Sequence, residues 1–233
     1  PQGRSYQATA IALDWYAALS RLGIDVDIVG QHSDLDAYAL VLAPDLLIAD
    51  AAFVARLKRS KAKALLGPRS GSKTAEMHIP ATLPPGPLAD LIDLQVTRVE
   101  SLPEFHNETV LYGNEMHAAR VWRETIRSPE SVLARFSGDY RDGAPALVGN
   151  DKARYLAAGA QGDFLMKVIG DALDWAGVAR LPDLGDLRLA RRGALRFAFN
   201  YGKGPAEVPA GPDAVFHVGG RMLAPVDVAV WTE

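Results

Sequence analysis

The sequence predicts an α/β protein: a three-layer sandwich built on a mainly parallel sheet, followed by a small antiparallel all-β domain. Three observations predict it. Through residues 5–66 the apolar positions switch between helical and strand period, the rhythm of βαβ units on a parallel sheet. A strongly periodic helix returns at 163–176. Beyond Pro182 only short strand-like pieces remain, which places a boundary there and two domains over 1–182 and 183–233.

In SYQATAIALDWYAALSRLG the residues Ala8, Ile11, Ala12, Trp15, Leu19 and Leu22 share one helical face, and Gly23 ends the pattern, which predicts a helix over 5–22. IDVDIVG alternates Ile24, Val26 and Ile28 with Asp25 and Asp27, and YALVLAP is a continuous apolar run. Both read as strands, at 24–29 and 39–43, the second a central parallel one. A helical segment over 46–60 closes in the basic RLKRSKAK and leads to a strand at 62–66 in AKALLG. The first strand of such a sheet would precede the first helix. A vacant position beside 24–29 is therefore expected, with unpaired amides and carbonyls. The opening PQGRSYQ has no initiator Met and runs directly into the helix, so the chain is expected to be an excised or proteolysed fragment.

After the proline-rich stretch 80–87, the segments QVTRVES, ETVLYG, EMHAARVWRE, SVLARFS, PALVGN and KARYLAAG are short, rich in β-branched residues and separated by Pro, Gly and Asn. They predict an antiparallel extension of the sheet. In QGDFLMKVIGDALDWAGV, Leu165, Val168, Ile169, Ala172 and Leu173 restore helical period, with Asp163 placed as N-cap and Gly177 after the end. LRLARRG, ALRFAFNYG, AVFHVGG and VDVAVWT are the strands of the last domain.

Composition limits the function. The chain has no cysteine, which removes disulfides, thiolate catalysis and cysteine zinc sites. A formal charge of -3 gives no reason to expect nucleic acid or an anionic membrane as partner. There is no membrane-length apolar run and no signal peptide, so a cytoplasmic location is expected.

LLGPRSGSKT, residues 65–74, follows a strand and invites comparison with a phosphate-binding loop, but Ser72 stands where the second glycine belongs. The following AEMHIPATLPPGP has no helical stripe to supply a dipole end. Ser70 lacks the flanking glycines and helix of a nucleophile elbow. The five histidines show no ligand spacing, so no metal or cofactor is expected. Asp25 and Asp27 read as a solvated strand face, and Asp139 and Asp142 as turn residues. What remains is Arg69, Lys73 and Glu76 on one loop at the carboxyl end of a strand, where open α/β sheets bind ligands. Trp122 and Glu124 in ARVWRE join Arg69, Ser70, Lys73 and Glu76 as candidates for an interface or a substrate entrance.

WYAALSRLGIDVDIV, YALVLAP, LLGPRSGSKT, PPGPLADLI, VWRE and NDKARYLAAG, in that order from Trp15 to Gly159, resemble the region that follows the catalytic barrel in family 42 glycoside hydrolases, the bacterial β-galactosidases. GPRSGSKT is the most specific stretch. ALRFAFNYGKGPAEV and GRMLAPVDVAVW resemble that family's small C-terminal β domain. The resemblance implies a flavodoxin-like domain similar to class I glutamine amidotransferases that mediates homotrimer formation, with the chain's own catalytic barrel as its other partner. An amidotransferase needs a nucleophilic cysteine, absent here, so that activity is not implied. A barrel needs roughly 250 residues. The two catalytic glutamates therefore lie outside this sequence, and the chain reads as non-catalytic. Two other readings stay open: a free-standing flavodoxin-like ligand-binding or sensory domain, and a divergent hydrolase using Ser70.

Overall fold

The computed structural model describes residues 6–138 and 142–233; the turn expected at Asp139 lies outside them. The chain divides into two units, one of residues 1–15 and 29–178, the other of 16–28 and 179–233. Helix α1 (Ala8–Arg21) contributes to both. It buries Trp15, Ala18 and Leu19, whereas Ala8 and Ala12 of the expected stripe are exposed. Gly23 follows in the left-handed region, as the stop signal requires.

In the first unit, β1 (Leu40–Ala43), α2 (Ala51–Arg59) and β2 (Lys63–Leu66) form a parallel unit in which Leu40 lies opposite Lys63 and Ala43 opposite Leu66. Helix α2 starts later than expected because Asp50 caps it, accepting from the Ala52 amide at 2.8 Å. A 3-10 turn (Gly86–Asp90) leads to β3 (Gln95–Ser101), β4 (Glu108–Tyr112), β5 (Glu115–Arg127), β6 (Ser131–Ser137), β7 (Pro145–Gly149), β8 (Ala153–Leu156) and β9 (Ala158–Ala160), then helix α3 (Gly162–Trp175). The nine strands make one sheet in the order β1-β2-β8-β7-β6-β4-β5-β3, with β9 paired to β5.

Two expectations are corrected. Only β1, β2 and β8 run parallel; the other ladders are antiparallel, so the sheet is mixed rather than mainly parallel. The reason is connection length: tight turns such as Tyr112-Gly113-Asn114-Glu115 can join only antiparallel neighbours. Residues 24–29 form no strand, and Ile28 and Val29 are exposed. Alternation gives a segment strand propensity, but without a ladder to join there is no sheet face to bury it. The expected vacancy beside 24–29 is therefore absent, and β1, expected as a central strand, is the edge of the sheet.

Helices cover both faces of the parallel part. Phe53, Val54 and Leu57 of α2 pack with Ala64, Leu66, Ala153 and Tyr155 on one face. On the other, the Trp175 ring of α3 lies between Lys63 and Arg154, 4.4 and 4.3 Å from its centroid. Gln161, not Asp163, occupies the N-cap position of α3. Asp163 sits in the first turn, where its charge favours the positive end of the helix.

In the second unit, β10 (Leu187–Arg192), β11 (Leu195–Asn200), β15 (Val228–Thr232) and β13 (Val215–Val218) form an antiparallel sheet in that order, and β12 (Ala206–Glu207) pairs with β14 (Met222–Leu223). Leu187, Ala198, Val208, Leu223, Ala229 and Trp231 are their shared core. Among the described residues no helix is long and apolar enough to cross a membrane.

Candidate functional site

The carboxyl ends of β1 and β2 deliver Asp45 and the loop Gly67-Pro68-Arg69-Ser70-Gly71, and β5 and β8 place Glu124 and Tyr155 beside them. The glycines of the loop are there for space. A Cβ on Gly67 would lie 2.0 Å from the Pro44 carbonyl oxygen, and one on Gly71 1.8 Å from that of Pro85. The backbone is thus pressed between two neighbouring segments, where no larger residue fits. The amides of Gly71 and Lys73 donate to the carbonyls of Leu46 and Leu47 at 2.8 and 2.9 Å.

Glu124 is the centre of the cluster. Its Oε1 accepts from the Arg69 amide at 2.9 Å and from Trp122 Nε1 at 3.0 Å, and its Oε2 accepts from the Tyr155 hydroxyl at 2.7 Å. Burial pushes its carboxyl above the ordinary range, against the opposing pull of these donors and of the Arg69 charge. Arg69 is held in the left-handed region at φ 67, a position that disfavours any side chain. Its guanidinium lies 4.3 Å from the Tyr6 ring centroid and 5.2 Å from that of Trp122. The Asp45 carboxylate and the Tyr6 hydroxyl are buried nearby with no well-formed hydrogen bond among the described residues, close enough to Arg69 for its charge to act on both. Burial raises the pKa of Asp45, Tyr6 and Tyr155, so the two phenols stay neutral.

The geometry is that of a brace. Ser70 Oγ donates to the Gly67 carbonyl at 2.8 Å and is fully buried, so it is not poised as a nucleophile. The structure brings Arg69, Ser70, Trp122 and Glu124 together and buries all four within the chain. Lys73 is half-buried and Glu76 exposed; neither takes part in the cluster. Tyr6, Asp45 and Tyr155 were missed from the sequence. Asp45 had a signal, being a carboxylate directly after the apolar run 38–44; Tyr6 and Tyr155 had none. Among the described residues no three metal-ligating side chains converge.

Beyond Gly71 the loop projects. Its tip closes on itself through Thr74 N to His78 O at 2.9 Å and Met77 N to Thr74 O at 2.9 Å. Met77, Ile79 and Leu83 stand 53%, 81% and 53% exposed. Met77 lies on that closed turn, and Ile79 and Leu83 follow it.

The family model described as "Beta-galactosidase trimerisation domain" matches residues 1–179, and that described as "Beta-galactosidase C-terminal domain" matches residues 186–233. A beta-galactosidase of Thermus thermophilus is 38% identical over 233 residues, all of this chain and 36% of that protein. The crystal structure of a beta-galactosidase from the psychrophilic Marinomonas ef1 superposes with a TM-score of 0.92 at 32% identity, over 100% of this chain and 35% of that one. A beta-galactosidase from the Antarctic haloarchaeon Halorubrum lacusprofundi gives 0.88 at 29% identity, over 100% of this chain and 37% of that one. The chain thus spans little more than a third of each of these three relatives.

Proposed function

Because the chain belongs to the beta-galactosidase trimerisation-domain family, we propose that it is the non-catalytic oligomerisation region of an enzyme that hydrolyses terminal β-D-galactosides. Residues 1–182 form the trimerisation domain in this reading, and residues 183–233 the small C-terminal domain. The parent is a cytoplasmic homotrimer whose two catalytic carboxylates, about 5 Å apart in a retaining enzyme, lie on a barrel elsewhere in the polypeptide. The observation that carries the reading is the brace itself. At the strand ends, where an α/β sheet of the flavodoxin or amidotransferase kind would hold a ligand or nucleophile, Tyr6, Arg69 and Glu124 fill the space and fix a loop with an apolar tip. Such filling favours assembly over ligand binding.

The test is an assay of the purified chain on a chromogenic β-galactoside. No turnover is expected. Turnover abolished by a substitution within residues 1–233 would overturn the proposal.

A further inference from the structure

On strand β11 of the C-terminal sheet the large apolar side chains point away from the domain's core. Strand β11 and the residue after it turn Leu195, Phe197, Phe199 and Tyr201 to the face opposite the domain's core, and give the core Ala198 and Asn200. A sheet with one solvated face shows the reverse alternation, apolar in and polar out. Register continues the pattern across the strands: Ala190, Phe197, Val230 and Val218 lie in one row, and Arg188, Phe199 and Val228 in the next. The rings follow one another at 6.4 Å from Phe197 to Phe199 and 6.4 Å from Phe199 to Tyr201. Tyr201, Val215 and Val218 are 70%, 58% and 49% exposed. The strand positions of this face carry arginines at 188 and 192 and no carboxylate.

We propose that this outer face docks onto the remainder of the parent polypeptide, against an apolar surface with an acidic rim. The proposal rests on the reading of the chain as part of a larger beta-galactosidase. The matched Thermus thermophilus relative extends well beyond the region shared with this chain, which covers 36% of it. A tethered surface meets the face at an effective concentration that a free partner does not reach. A sugar is the less suitable occupant, because orienting one needs several convergent polar groups. Valines flank the rings, and Arg188 Nη1 is already committed to the carbonyls of Gly185 and Leu187 at 2.5 and 2.9 Å.

The experiment uses the full-length parent, with Val218→Asp and Tyr201→Asp on the face and Asp213→Asn, on an exposed loop, as control. Both face residues are exposed here, so neither substitution removes the small domain's own core. Limited proteolysis between α3 and β10 should run roughly tenfold faster in both face variants, since cleavage follows the population of the open form. The control and the mass of the assembly should not change. Unchanged cleavage in both face variants overturns the proposal. Loss of assembly in step with cleavage overturns it too, by assigning the face to a contact between copies, and so does loss of retention on a galactan column with cleavage unchanged. An inactive parent with normal cleavage kinetics would count against the proposed function, not against this face.

Discussion

Glu124 shows how much can depend on one buried carboxylate. Three donors from three segments converge on it, so Glu124→Leu leaves each of them unpaired and should cost about 3 kcal/mol or more. Glu124→Gln keeps an oxygen for the Arg69 amide and Trp122, and turns its NH2 toward the Tyr155 hydroxyl, which can accept. It should stay within about 1 kcal/mol of wild type. The pH dependence separates the two forms. The Glu124 carboxyl is raised in the folded state, so its contribution is fully present below the unfolded value and is lost as pH rises through the folded one. Denaturant unfolding across that window should show wild type losing stability while Glu124→Gln loses less; a residual slope belongs to Asp45, which is shifted in the same direction. Parallel curves for the two proteins would refute the assignment. At Arg69, φ 67 predicts that Arg69→Ala is less stable than Arg69→Gly by about 1 kcal/mol.

At the scale of elements, two glycines in the same backbone region give opposite forecasts. Gly71 and Gly113 sit at φ +67 and +62, but a Cβ on Gly71 meets the Pro85 carbonyl whereas Gly113 faces open space. Gly113→Ala should cost only about 1 kcal/mol of backbone strain. Gly71→Ala should cost distinctly more and should speed proteolysis within 72–85; equal melting shifts would contradict the clamp. The same contrast explains what could be read in the sequence. Helices α1, α2 and α3 and strands β1 and β2 were legible because each combines its period with a cap, a stop or a buried run. Residues 24–29 were misread because alternation reports propensity, whereas a strand also needs a neighbour. Asp163 was read as the N-cap but lies two residues inside it. The cluster was half legible: GPRSG and VWRE stood out, but burial of Arg69 and Glu124 depends on long-range packing that no local pattern encodes.

For the whole molecule, the brace and the projecting loop make one argument. Tyr6, Asp45, Arg69, Trp122, Glu124 and Tyr155 gather at the strand ends, and beyond them the loop leaves Met77, Ile79 and Leu83 exposed. Holding an interface residue in its bound form lowers the ordering cost of association. Assembly is therefore where the loop should matter, more than in the stability of a single copy. The direct measurement is light scattering of the full-length parent carrying Met77→Asp and Ile79→Asp together, read beside its melting temperature. The account predicts that the proposed trimer falls to a smaller species, by a dissociation constant raised at least about tenfold, while the dissociated chain still unfolds cooperatively. A variant that stays trimeric at every concentration tested would contradict it.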